Sequence, residues 1–329
     1  MKKWGVLLLI FLVFQGMLFA EGSREKSAPA ATTQEAYPVR PVKLIVPYAA
    51  GGGTDLIGRM VAQKLEQIIG QPVPIINIGG ASGGLGMQEL LKSPADGYTI
   101  GMDIINIWTR KALKTNDFGP EAFDLLAQCG TYYLVEATRF ASPYKNLKEL
   151  AEAAKKQPDS IQEATNIGAI THFTTLSFMD ATGAKLRLVH IGDGAQRITS
   201  VLGGHVETTV MGTHEVLPYY QSKEMRVLGV ASPKRIPGLE DAPTMAEQGM
   251  DVVQPVDYWF YMPKGSPKEK VSYITDALEK VMKDPEIIRK MSEMAMEPSF
   301  LRDGELLKRV DAQGKNIFAI AEKHNLGKK

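Results

Sequence analysis

The chain has 329 residues with 38 basic and 37 acidic side chains, a net charge of +1 and a single cysteine. That near-balance argues against a nucleic-acid or membrane-surface role, for which basic residues would be in excess. Cys129 alone excludes an intrachain disulfide, so the fold has to rest on a buried core, and this length can supply one.

The first segment predicts export. Lys2 and Lys3 precede an apolar run over residues 6–14, then Met17-Leu18-Phe19-Ala20 and an abrupt change to Glu21-Gly22-Ser23-Arg24. A charged start, a short apolar stretch and a small residue before polar sequence form a secretory signal peptide, here residues 1–20. A membrane span needs about 20 apolar residues, so an uncleaved anchor is the weaker alternative. No cysteine follows the run, which leaves a lipid anchor unsupported. Cleavage would leave 36 basic and 37 acidic side chains, a net charge of −1. Residues 21–36, rich in Ala, Ser, Thr and Glu, read as a disordered leader.

The remaining chain, about 290 residues, suggests two domains. Residues 42–46 (Val-Lys-Leu-Ile-Val) are short and apolar, as a buried parallel strand would be. The run Pro47-Tyr48-Ala49-Ala50-Gly51-Gly52-Gly53-Thr54-Asp55 follows. Leu56, Ile57, Met60, Val61, Leu65 and Ile68 then recur at helical spacing, with Thr54 or Asp55 expected to cap the helix over 55–69. Strand, glycine loop and helix start present free amides and positive dipole to an anion. Further strands are predicted over 75–77, 98–102, 186–190, 208–210 and 226–230, and helices over 147–156, 172–182, 196–202 and 268–282. This alternation implies an α/β architecture with mainly parallel sheets. The tail reads as all helix. Ser266-Pro267-Lys268-Glu269 has the form of a capping box, and further helix starts are expected at Asp284-Pro285 and Asp303.

Several motifs in order resemble the extracytoplasmic solute receptors of tripartite tricarboxylate transporters, the Bug receptors. They are the aromatic-glycine loop 47–55, the segment 77–86 containing Gly80-Ala81-Ser82-Gly83-Gly84, and Ala95-Asp96-Gly97-Tyr98-Thr99. Leu202-Gly203-Gly204-His205-Val206-Glu207 follows, then Leu239-Glu240-Asp241-Ala242-Pro243-Thr244 with Glu247-Gln248-Gly249, and Trp259 with Pro263-Lys264-Gly265-Ser266-Pro267. The resemblance implies a type II periplasmic-binding-protein fold, two α/β domains around a central ligand cleft. Domain I would comprise residues 37–135 plus 251–329 and domain II residues 136–250. It also implies a periplasmic receptor for a small, carboxylate-bearing solute. A monomer without cofactor, metal or nucleic acid is expected, with a two-subunit membrane permease as partner. A ligand sensor for membrane signalling, built on the same fold, is the nearest alternative.

The expected ligand contacts are Tyr48, Ala49, Gly51, Gly52 and Thr54 on one side, with Ser82. Asp55 suits helix capping or a bridging water better than an anion. The other side would supply Thr165, Asn166, Gly168, Ala169 and His172, then Thr213 and His214. The family's serine hydroxyls are alanine here at Ala164 and Ala169, so Thr165 and Asn166 stand in for them. The family's Pro-Tyr and following glycine become His190-Ile191-Gly192-Asp193, where Asp193 is either a turn former or a polar group lining the cleft. His172 either donates to ligand or satisfies its own loop.

Enzyme readings are thin. Gly80-Ala81-Ser82-Gly83-Gly84 matches Gly-x-Ser-x-Gly, but a flexible, glycine-padded approach is expected there rather than a tight strand-to-helix corner. His205-Val206-Glu207 and His214-Glu215 lack a zinc spacing, and there is no Walker lysine or well-placed Gly-x-Gly-x-x-Gly.

Overall fold

Strand β1 (Lys43–Val46) runs through the glycine loop into α1 (Gly53–Ile69), whose Ile57, Val61 and Leu65 are fully buried. Burying each such side chain is worth about 1.5–3 kcal/mol, which fixes the helix against the sheet. Next come β2 (Ile75–Asn77), a 3-10 turn (Ala81–Gly83), α2 (Gly84–Lys92), β3 (Thr99–Asp103) and α3 (Asn106–Ala112). The long β4 (Phe123–Arg139) leads to α4 (Leu147–Lys156), β5 (Gln162–Thr165), α5 (Ile170–Thr182), β6 (Arg187–His190), α6 (Gly194–Leu202), β7 (Thr208–Gly212), α7 (Thr213–Gln221) and β8 (Met225–Val230). The chain then returns through β9 (Pro255–Pro263), α8 (Lys268–Met282), α9 (Pro285–Glu293), β10 (Glu297–Leu301) and α10 (Asp303–Lys323). This computed structural model describes residues 36–192 and 194–328. The predicted signal peptide, nearly all of the predicted leader and Asp193 lie outside the described residues.

Two sheets share β4. In the first, β1 pairs in parallel with β2 and β3, and β3 meets β9 antiparallel. The first part of β4, residues Phe123 to Tyr133, pairs with β9, and β10 adds along it between Gln128 and Thr131. In the second, Leu134 to Thr138 pair with β7, and Val135 to Arg139 with β8. β7, β5 and β6 then continue in parallel. The two-domain α/β fold expected from the sequence is therefore present, but its sheets are mixed rather than mainly parallel, because β4 and β9 pair antiparallel with each other and with their neighbours β3, β7, β8 and β10.

Separate apolar clusters support the sheets. Leu44, Val46, Ile100, Tyr258, Trp259 and Leu278 belong to the first; Val135, Ala164, Val201, Met211 and Val227 to the second. A third, with Leu147, Leu150, Phe178, Leu228 and Met245, lies under α4. Buried acids punctuate these cores. Asp257 accepts from Thr131, Arg309 and Gln313, which ties α10 to β9 and β4. Glu136 on β4 and Glu163 on β5 are both fully buried. Burial, joined for Glu136 by the charge of Glu163, pushes both carboxyls well up from their ordinary range.

Four local expectations are corrected. Gly52, not Thr54 or Asp55, is the N-cap of α1, and no side chain caps it. Pro267 is the N-cap of α8, and Ser266 Oγ donates to Pro263 O (2.8 Å), so no capping box forms. The tail is not all helix, because Met294–Met296 turns the chain into β10 beside β4. Residues 80–84 are tighter than predicted, a 3-10 turn running directly into α2 with Ser82 at φ 51°.

Candidate functional site

A cavity of about 690 Å³ opens between the sheets. Its walls come from the carboxyl ends of parallel strands: the segments after β1, β2 and β3 on one side, and after β5, β6 and β7 on the other. Open α/β sheets bind ligands there because each strand end turns into a helix start, where amides are unpaired.

The β1–α1 loop is locked from behind. Asp55 Oδ2 accepts the Gly51 amide (2.8 Å) and Arg59 Nε (2.9 Å), while its Oδ1 accepts Asn77 Nδ2 (2.8 Å). Although burial pushes the Asp55 carboxyl up, those bonds hold it below the usual carboxylate range. Gly51, at φ 83°, adopts a conformation that suits glycine. Gly52, Gly53 and Thr54 then line the cavity with α1's first turn. The first amides of a helix lack intrahelical partners and carry about half a positive charge between them.

Tyr48 lines the same wall. Its hydroxyl donates to Asp103 Oδ1 (2.9 Å) and accepts Asn106 Nδ2 (3.1 Å). Arg110 closes this network with an ion pair to Asp103 and a bond to Ser82 O. Burial pushes the Asp103 carboxyl up, opposed by the Arg110 charge. Asn106 also reaches across, its Oδ1 accepting the Ile170 amide at the start of α5 (2.9 Å).

On the far wall, Asn166, Ile167, Ala169, Ile170 and Thr171 line the cavity. Thr171 Oγ1 accepts from Thr165 Oγ1 (3.1 Å) and the Asn166 amide (3.2 Å). His190 Nδ1 accepts the Ile167 amide (3.1 Å). The α7 start brings His214 and Glu215. Glu215 Oε2 accepts the Gly212 amide (2.8 Å), and the His214 ring packs edge-on against Tyr132, centroids 4.6 Å apart. Burial holds the His214 imidazole below its usual range, against the pull of Glu215, so it is neutral near pH 7. Its Nε2 lies 2.2 Å from where a Cβ on Gly53 would stand, so the two walls touch at that point.

Of the residues predicted for the site, Tyr48, Ala49, Gly52, Thr54, Ser82, Asn166, Ala169 and His214 line this cavity. Others turn away. Gly51 and Asp55 bond to each other behind the loop, and Thr165 is buried against Thr171. The Gly168 amide points at His172 Nδ1 (3.4 Å), so that histidine satisfies its own loop. Thr213 Oγ1 donates to Ala295 O (2.7 Å). Asp193 is outside the described residues. Sequence reasoning missed Asn106, Tyr132, Arg197 and Glu215 among the lining residues. Glu215 alone had a usable signal, an acid three residues into a helix that starts after glycine.

Known proteins share this build. The sequence matches the family described as "Tripartite tricarboxylate transporter family receptor" over residues 57–326. It is 27% identical to Protein BugT of Bordetella pertussis over 285 residues, 82% of this chain and 84% of the relative. It is also 27% identical to the "UPF0065 protein in gbd 5'region" of Cupriavidus necator, covering 91% and 92%. The solved periplasmic binding protein BugD matches with a TM-score of 0.80 at 28% identity, over 88% of this chain and 99% of that one. R. palustris Rpa4515 with adipate matches at 0.82 and 25%, covering 87% and 97%. The matched family is one of transport receptors and BugD is a periplasmic binding protein, which removes the nucleophile reading of Ser82. No helix among the described residues is long and apolar enough to cross a membrane. With a two-domain fold, a cleft at the strand ends and a family match across most of its length, the chain belongs to the tripartite tricarboxylate transporter receptor family of periplasmic solute-binding proteins.

Proposed function

We propose that the protein captures a small carboxylate in the cleft between domain I, residues 37–135 plus 251–329, and domain II, residues 136–250. It is secreted through residues 1–20, works in the periplasm as a monomer and delivers its solute to a two-subunit permease. The observation that carries this reading is the α1 start, which opens into the cavity with no side chain capping it. A carboxylate there receives the amides that the protein leaves unused. Each charge-assisted bond contributes roughly 1.5–3 kcal/mol, and three or four meet the −8 kcal/mol of about micromolar binding. Tyr48 packs on the solute's carbon skeleton, Thr54 and Ser82 add hydroxyls, and Asn166 and Ala169 meet it from domain II. Adipate in the R. palustris relative supports an acid ligand. Ligand stabilises the closed state because both walls contact it only there.

The test is a thermal-shift screen of residues 21–329 against di- and tricarboxylates, aromatic acids, amino acids and sugars. A ligand at a hundred times its dissociation constant stabilises by about 2.7 kcal/mol, readily seen as a rise in melting temperature. Gly52→Asp should abolish the response. A Cβ at Gly52 meets only Ala49 O, at 3.4 Å, so the change adds repulsion without overcrowding. Silence with every acid, alongside a response to a neutral solute, rejects the carboxylate assignment. Co-purification of the permease subunits with the receptor tests the delivery step.

A further inference from the structure

Arginine at position 197 has no counterpart among the groups so far given to the ligand. It lies in α6, lines the cavity and is 5% exposed. Its Nη1 donates to the carbonyls of Ile191 (3.3 Å) and Gly192 (3.2 Å), while Nε has no hydrogen-bond partner. Among the described residues no carboxylate stands within ion-pair distance of it. Arg110, buried as deeply, is neutralised by Asp103. Glu215 shares the cavity with Arg197, but one of its oxygens takes the Gly212 amide and the other rests against Gly194. Glu163 feels the Arg197 charge but is itself pushed by burial toward its neutral form, so among the described residues the cation has no ion pair. A buried cation without one is costly unless something else brings the charge.

We propose that Arg197 is the specificity-determining residue of the cleft, and that its guanidinium reads the second acidic head of a two-headed anionic solute whose first head sits at the α1 start. The inference rests on the carboxylate reading above and adds a direct charge pair to it. A guanidinium offers parallel N–H donors that match a carboxylate in two bonds, which an ammonium cannot reproduce. The two carbonyl contacts occupy Nη1 and fix the plane of the guanidinium, leaving Nη2 and Nε without a protein acceptor among the described residues.

The experiment measures dissociation constants by calorimetry for succinate, glutarate and adipate and for the monoamide of each, on wild type, Arg197→Gln and Arg197→Lys. In wild type, replacing one carboxylate by an amide should weaken binding roughly 10- to 100-fold. In R197Q the diacid should bind about as weakly as the monoamide, because the discriminating charge is gone. R197K, which keeps the positive charge and a donor for the loop carbonyls, should melt close to wild type yet bind the diacid roughly tenfold or more weakly. Equal diacid affinity in wild type and R197K, or undiminished acid-over-amide preference in R197Q, overturns the assignment. If R197Q fails to fold, R197K and the wild-type amide comparison still decide it. Should none of the six compounds bind wild type while the thermal-shift screen finds another acid, the two-headed assignment is overturned and the carboxylate reading stands; silence with every acid rejects both.

Discussion

Gly53 illustrates how little room the site leaves at its narrowest point. A methyl group there would stand 2.2 Å from His214 Nε2, and the His214 ring is itself packed against Tyr132, with no room for a side chain at Gly212 beside it. Gly53→Ala should therefore weaken binding of any acid found in the screen by tenfold or more. Overpacking of this kind typically costs about 1–3 kcal/mol of stability, visible in denaturant melts. Wild-type affinity in this variant would show that the α1 start is not where the ligand binds. The glycine loop was legible in the sequence because three consecutive glycines between a strand and a helix have few other uses. Arg197 was not. A single arginine on an amphipathic helix normally marks a solvated face, and only the fold shows that this one is turned inward.

At the level of elements, β1, β2, β3, β6, β7 and β8 and the helices α1, α4, α5, α6 and α8 could be read from apolar spacing and alternation, whereas β5, α2 and α3 could not. The long β4 was missed. It has 17 residues, and Gln128, Thr131 and Glu136 interrupt its apolar run. Gln128 and Thr131 can be buried there because their side chains bond to each other and to Ser299 and Asp257 from distant segments, which is invisible to a local pattern. α7 escaped because Pro218 lies inside it, where proline usually ends a helix. The acids Glu136 and Glu163 give these strands a measurable signature. The fold prefers their protonated forms, and Glu163 is pushed up from 4.5 to about 8, by burial first, with the Thr175 bond and the Arg197 charge opposing. A raised carboxyl contributes stability that is fully present below pH 4.5 and is lost as pH climbs through 8. Urea midpoints should accordingly fall between pH 5 and 8, and Glu163→Gln should flatten that slope. A midpoint that rises over the same interval would contradict the buried, protonated state.

Across the molecule, Asn106 makes a polar contact between the two walls of the cavity. Its amide group bonds to Tyr48 Oη on one side and accepts the Ile170 amide on the other. Asn106→Ala leaves that buried N–H without its acceptor, a cost of about 1–3 kcal/mol. The variant should show a larger ligand-free radius of gyration in X-ray scattering and weaker solute binding. An unchanged radius together with unchanged affinity would mean the contact carries no part of closure. Everything that the second sheet adds to the cavity, from Asn166 to Glu215, lies in one uninterrupted stretch of chain that leaves at the end of β4 and returns at β9. The first sheet can thus keep its glycine loop while the inserted stretch is exchanged as a cassette. New solute preferences then need no redesign of the half that holds the glycine loop, and lineages can diversify by varying one segment.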